Sequence, residues 1–477
     1  MPKSNKNMPV QASSFINLTK LEPFHNRLQE GYASIPVGDH METWKINSRG
    51  FRLLVGRLYY MEFGKPLKPA NMKELLALLE AQALYDGPEK EVHVRVAHQD
   101  KKIYVDLGNE RWQAVEITAF GWQVIDNPPV KFCRPQTLAP YPMPASIGSI
   151  EELRPFINCN DEDWPIVVGW ILGAFSLGPY PLLMLQGEAG TAKSSLARIL
   201  KSIVDPDTAP LLARPRTLRD LAVSANNSWC LAFDNFSGIT KSWSNAFCQL
   251  ATGIGDRGRR LYTATEETVI NVKRPLIITS IESLAREVDL ADRSILLNLP
   301  VIQDRLTERD MRRRFDKVWP KVLRAIFDVL AAALKNFKKV TQEDLPRMAD
   351  FAEWVVAAEP ALPWEPGAFM AAYNQNRAEV VDRSLESDPV ALVVMELVRR
   401  QSYSGGEWRG TPTRLLEALT TIANQPGMGG TDRDWPSASN KLSEKLNSLA
   451  TFLRTKGIEF ERGWIGSQRA IILRKVS

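Results

Sequence analysis

Four successive units are predicted by the sequence: an N-terminal α+β domain (1–148), an α/β core (149–300), a helical region (301–400) and a C-terminal winged helix (401–477). Three observations carry this reading. The apolar run LLMLQ at 182–186 leads into a glycine-containing loop and then a helix-like segment. A second apolar run, CLAF at 230–233, ends at Asp234, as a buried parallel strand with an acid at its edge would. Two alternating segments, IEFERG and RAIILRK, close the chain behind a helical pattern.

Residues 1–50 carry few patterns and are expected to be partly mobile, while MKELLALLEAQAL at 73–85 reads as a helix with leucines on one face. From Glu91 to Ile125 the runs EVHVRVA, KIYVDL, WQAVEI and GWQVI alternate and are separated by turn residues, the pattern of an antiparallel meander. His93 and His98 fall in it and read as structural rather than catalytic. Residues 126–148 are rich in proline and read as a linker, and Ser149–Pro155 opens a helical lead-in to the core.

The segment GEAGTAKSS is a phosphate-binding loop in its usual context, strand before and helix after. Backbone N–H groups of Gly187, Ala189, Gly190, Thr191, Ala192 and Ser195 would face phosphates, aided by the helix dipole. Lys193 would reach the β and γ phosphates of ATP, and the Ser194 hydroxyl would hold Mg²⁺. Ala192 stands where the motif has its second glycine, and Gly190 is expected to supply the flexibility. Asp234 is the expected metal-orienting acid beside Ser194. The next residue is Asn235, where a general base would carry a glutamate; Asn235 can orient water but not take its proton, and Glu266 or Glu267 could help. Thr279, at the end of the strand PLIITS, is placed to sense the γ phosphate. Arg293 precedes the strand from Ser294; it either projects as a trans finger or pairs locally with Asp292 or Asp289. Arg257, Arg259 and Arg260 cluster beside glycines, suiting contacts to nucleotide or nucleic-acid phosphates, or simply a solvated basic turn.

Together GEAGTAKSS, WCLAFDN, TGIGDRGRRLYTATEE, RPLIITSIESLA and LADRSILLNLP resemble the phage and prophage helicase ATPases, which are related to poxvirus-type primase-helicases and to superfamily 3 helicases of the AAA+ kind. The similarity spans roughly residues 90–477 by motif order. It implies an α/β P-loop NTPase core assembled as a hexameric ring, moving on DNA at the expense of ATP. It also implies Lys193 and Ser194 in the phosphate loop, Asp234 on Mg²⁺, Thr279 on the sensor strand and Arg293 as the trans finger. Ala192 and Thr279 depart from the family's glycine and asparagine. Longer relatives carry a primase domain upstream; residues 1–150 hold no such carboxylate motif, so a primase would be a separate partner.

Beyond residue 400 the segment QSYSGGEWRG reads as a second linker, followed by helices at Thr413–Ile422, Ser437–Ser443 and Ser443–Thr455. Residues 441–477 hold eight basic against three acidic residues, an excess equal to the whole chain's net charge of +5. Attraction to DNA is therefore expected here, with Lys445 and Arg454 as contacts. The four cysteines have neither metal nor disulfide spacing, and MPKSNKNMPVQASS lacks an apolar signal core. Trp164 to Gln186 is free of charge and long enough to span a bilayer, but Gly178-Pro179-Tyr180-Pro181 breaks it into helix and strand. The expectation is a cytoplasmic DNA helicase or translocase serving a phage or mobile element. A nucleotide-gated DNA-binding regulator or loader with slow hydrolysis is the alternative. A small-molecule kinase fits poorly, because it would leave the C-terminal module unexplained.

Overall fold

The computed structural model describes residues 20–253, 272–280, 288–304, 306–340, 345–402, 406–426 and 435–476. Residues 22–45, expected to be unpatterned, form an antiparallel sheet of β1 (Glu22–His25), β2 (Gly31–Val37) and β3 (His40–Lys45). The interior of this unit is Ala33, Ile35, Phe51, Val55, Leu76 and Leu79, the last four from helices α1 (Arg49–Phe63) and α2 (Pro69–Tyr85). Ser48 caps α1 by accepting from Phe51 N–H, and Gly64 ends it in the left-handed region at φ 66°.

The run 91–97, read as one strand, breaks at Arg95, whose φ is +64°. It yields β4 (Val92–His93), which pairs in parallel with β9 (Lys131–Phe132), and β5 (Val96–Gln99). The expected meander is β5, β6 (Lys102–Asp106), β7 (Ala114–Thr118) and β8 (Gly121–Ile125), in that order. Burial holds both His93 and His98 down to about 4, so each is neutral at pH 7; Arg274 adds to this at His93. His98 Nε2 bonds the Phe175 carbonyl at 2.9 Å. The proline-rich stretch is a packed strap rather than a linker: buried Tyr141 donates its hydroxyl to the carbonyls of Ile203 and Val204.

The core is built from α3 (Trp164–Gly173), β10 (Leu182–Gln186), α4 (Lys193–Val204), α5 (Leu218–Asn227), β11 (Leu231–Phe233), α6 (Lys241–Thr252), β12 (Leu276–Ser280), α7 (Val288–Ala291) and β13 (Ser294–Asn298). Its four strands are parallel in the order β11-β12-β10-β13, and β10 is buried at every position. The charge-free run thus divides into a helix and a strand, and among the described residues no helix is long and apolar enough to cross a membrane. Gly169 and Gly173 of α3 admit the rings of Phe369 and Phe351, which an added Cβ would approach to 2.7 and 2.4 Å.

Then come α8 (Glu308–Asn336), α9 (Ala349–Ala358), α10 (Ala368–Glu386) and α11 (Pro389–Ser402). The meander leans on α8, where the Trp122 indole N–H donates to Asp328 at 2.8 Å and its ring meets Phe327 edge-on. The last module comprises β14 (Glu407–Gly410), α12 (Pro412–Ala423), α13 (Ser439–Thr455), β15 (Ile458–Ile465) and β16 (Gln468–Lys475), with its antiparallel sheet in the order β14-β16-β15. Part of the expected linker is therefore the strand β14, and the two helices expected at 437–455 are one. Val390, Val394 and Leu397 of α11 share an apolar cluster with Leu415, Leu446 and Leu473, so α11 packs with this module.

One buried charge cluster joins the meander to the core. Arg95, with no solvent exposure, donates to Asp205 Oδ1 at 3.0 Å and to the carbonyls of Asp106, Ala139 and Pro206, and its guanidinium lies 4.8 Å from the Tyr141 ring. Asp205 Oδ2 accepts from Lys201 Nζ and from the backbone N–H groups of Trp229 and Cys230. Burial would raise the Asp205 carboxyl, but Lys201 and Arg95 outweigh it and hold it below the usual carboxylate range. A carboxyl depressed on folding stabilises above its unfolded pKa, and that contribution is lost as pH falls through the lower folded value. Asp205→Ala strands two buried cations and is expected to cost about 3–5 kcal/mol. Denaturant unfolding measures this, with the mutant's deficit shrinking below about pH 4 as the wild-type carboxyl protonates.

Candidate functional site

At the C-terminal edge of the parallel sheet, β10 ends at Gln186 and α4 begins at Lys193, with residues 187–192 between them. Gly187 sits at φ 155°, and an added Cβ would lie 2.7 Å from Thr191 Oγ1 and 3.0 Å from the Leu299 carbonyl, so the turn admits only glycine. Gly190 is left-handed at φ 88°, and so is Ala192 at φ 59°, ψ 31°. The flexibility expected of Gly190 therefore does not stand in for a glycine at 192; both positions take the conformation, and Ala192 does so against its Cβ. Glu188, Ala189 and Gly190 form an exposed tip, whereas Thr191 is buried and donates to the Glu188 carbonyl. Asn158, which the sequence did not single out, donates from Nδ2 to the carbonyls of Thr191 and Pro300. It clamps the loop from a distant segment, and no local pattern marks it.

Lys193 folds back into this loop. Its Nζ donates to the carbonyls of Gly187 and Glu188 at 2.7 and 2.8 Å. Burial lowers its pKa, with Asp234 acting in the opposite direction. On the same helix the Ser194 hydroxyl donates to Asp234 Oδ1 at 2.8 Å, and Ser195 follows one residue on, partly buried. The same Asp234 oxygen accepts from the Thr279 hydroxyl at 2.5 Å, and Thr279 in turn accepts from Asn235 N–H at 2.9 Å. One helix and two parallel strands, α4, β11 and β12, thus converge on one carboxylate. Thr279 orients Asp234 and the backbone after it, a role reached through a neighbour, whereas the sequence reading had it sensing phosphate directly. Asn235, at φ 56°, is exposed beside the site.

The remaining expected residues are not gathered here. Arg293 does not project outward: it pairs with Asp289, donates to the Asp289 carbonyl at 2.8 Å, and buries an Nε that has no hydrogen-bond partner. The local ion pair is the arrangement present, with Asp289 rather than Asp292 as partner. Asp292 instead takes Arg347 and Arg377. Lys445 is spent on an ion pair with Asp388 at 2.5 Å, while Arg454 is exposed. Arg257, Arg259, Arg260, Glu266 and Glu267 lie outside the described residues. Because glycine accepts the left-handed region without a Cβ clash, Ala192→Gly is expected to raise stability by about 1 kcal/mol. A higher unfolding midpoint would bear this out, and a lower one would mean the Ala192 methyl makes packing contacts that outweigh the strain.

The family model described as the actinomycete integrative conjugative element replication protein matches residues 149–377. No curated protein matches the chain. Among solved structures, an apo form of the NrS-1 C-terminal region covers 98% of this chain and 100% of its own, at 9% identity and TM-score 0.36. A full-length MCM homolog from Methanopyrus kandleri covers 71% of this chain and 89% of its own, at 13% identity and TM-score 0.29. The JCV helicase covers 48% and 70%, at 12% identity and TM-score 0.20. A second family model, described as the RepA C-terminal domain of the same elements, matches residues 390–477.

Proposed function

We propose that this chain is an ATP-driven DNA helicase or translocase that serves replication of a conjugative element, working as an oligomeric ring. One observation carries the reading: the Ser194 hydroxyl, the Asp234 carboxylate and the Lys193 ammonium meet at the mouth of a loop that starts a helix, on the C-terminal edge of a parallel sheet. A P-loop NTPase needs this set at this place, and the family's replication role supplies the context.

ATP phosphates would be taken by the N–H groups of residues 187–195 together with Lys193, which would exchange its two carbonyls for phosphate oxygens. Mg²⁺ would rest on Ser194 and Asp234 and neutralise phosphate charge. Thr279 keeps Asp234 aimed at Ser194, and the αL turn at Asn235 brings that side chain to the site's edge, where it can orient water. For DNA, the C-terminal module has the helix and strand order of a winged helix. With Lys445 paired to Asp388, the exposed cations free of an ion pair there, among the described residues, include Arg414, Arg454, Arg462, Arg469 and Lys475.

A nucleotide-gated regulator or loader is favoured by a different observation. No carboxylate replaces a general base at Asn235 among the described residues around Asp234, and Arg293 is held by Asp289 within its own chain. The two readings part on turnover. For a motor, single-stranded DNA is expected to stimulate ATP hydrolysis at least tenfold, and Lys193→Ala to abolish the stimulated rate. Tight ATP binding with DNA-independent, negligible turnover in the wild type would replace the motor with the switch.

A further inference from the structure

The helix α1 runs against a rule of helix stability. Arg49 and Arg52 occupy its first turn, where the dipole favours acids, and no acid lies there. From Arg49 to Lys73 the chain carries Arg49, Arg52, Arg57, Lys65, Lys68 and Lys73 against a single acid, Glu62. All six cations are exposed, and among the described residues none of their side chains has an ion-pair or hydrogen-bond partner. Nearby, by contrast, Lys45 is paired with Glu30.

With 3.6 residues per turn, Phe51, Val55 and Tyr59 face the domain core, and Arg49, Arg52, Leu53, Arg57, Tyr60 and Met61 share the outer arc. Glu62 falls away from that arc. Three large apolar side chains stand in it among the arginines: Leu53 is 64% exposed, Tyr60 59% and Met61 68%. A surface that leaves cations unpaired, sets two of them against the helix dipole and interleaves apolar side chains is arranged for an external polyanion.

We propose that α1 is a docking face for double-helical DNA, with the arginines on backbone phosphates and Tyr60, Leu53 and Met61 against sugars and base edges. The inference rests on the DNA-translocase reading but adds a contact outside both family matches, which span residues 149–377 and 390–477. A rigid convex helix suits a groove about 12 Å wide, whereas single strands are held in concave channels lined by aromatic platforms. An anionic bilayer would need an apolar helix face to insert, and the apolar face of α1 is already packed on its own core.

The test uses the full chain carrying Arg49→Glu, Arg52→Glu and Arg57→Glu together, titrated with labelled duplex DNA at several salt concentrations. Affinity is expected to fall at least tenfold, and the slope of log K against log salt to shrink by about 2–3, one counterion per lost phosphate contact. Glutamates in the first turn complement the dipole, so the melting temperature should hold or rise; a loss of binding then cannot be ascribed to unfolding. Hydrolysis of ATP without DNA should be unchanged. Wild-type affinity and slope in the triple variant would overturn the proposal while leaving the translocase reading intact. A wild type that binds no DNA would overturn both. Loss of binding only to anionic vesicles, with duplex binding intact, would overturn it in favour of a membrane surface.

Discussion

Asp205 is the carboxylate on which the geometry of the core depends. It lies just beyond α4, whose other end carries Lys193 and Ser194, and it accepts from the backbone immediately before β11, whose other end carries Asp234. Both halves of the candidate site are thus anchored at their far ends to one buried group. Arg95 completes the anchor from the meander, held in a left-handed backbone conformation that a free arginine avoids, by hydrogen bonds to the carbonyls of Asp106, Ala139 and Pro206. A cluster so buried contributes little net energy over apolar packing, but it punishes any other arrangement of the three segments severely. Its value is positional: α4 and β11 cannot slide past each other without stranding a charge.

That constraint explains the economy at the site itself. A single oxygen of Asp234 receives the hydroxyls of Ser194 and Thr279, so α4 and β12 are both referenced to the end of β11. Thr279 is nearly inaccessible, with its donor and acceptor capacity both used inside the protein. Its hydroxyl ties Asp234 to the backbone of Asn235 and stiffens the turn that carries it. Lys193 follows the same logic, its ammonium satisfied by two loop carbonyls. A phosphate that displaces those carbonyls trades two neutral acceptors for charged ones, and charge-assisted bonds are roughly twice as strong.

How much of this was legible depends on the range of each interaction. The strand-loop-helix at 182–204, the meander and the β15–β16 hairpin are written in local periodicity, and the sequence suffices for them. The N-terminal sheet was illegible because Pro36 interrupts β2. In the structure Pro36 lies beyond the residues that pair with β1, where a missing N–H costs no ladder bond on that side. The strand β14 is four residues long and exists only through pairing with β16, far along the chain. Arg95 and Asp205 are separated by 110 positions, and no spacing rule connects them. Asn158 was missed for the same reason. The left-handed backbone of Ala192 was foreseeable from the motif glycine it replaces, but the reading let Gly190 absorb it.

The charge count shows most clearly what a sequence omits. The excess at 441–477 pointed to the C-terminus as the place where phosphate attraction is concentrated, with the remainder near neutral. Yet residues 49–73 carry as large an excess, so the intervening chain is acidic on balance. Pairing then separates the two surfaces. In the C-terminal module Lys441, Lys445, Lys456 and Arg474 are matched to Glu444, Asp388, Asp382 and the pair Glu459 and Glu461. Lys445 and Lys456 hold α13 to Asp388 and Asp382, Arg474 holds β16 to β15, and Lys441 pairs within α13, so at each of them a ligand phosphate would have to compete with a carboxylate already in contact. On α1 there is no such competitor among the described residues, and the helix bears a dipole penalty that internal contacts do not offset. Counting charges ranks the two surfaces as equal, whereas asking which charges are already satisfied assigns half of the C-terminal ones to structure and leaves those of α1 available.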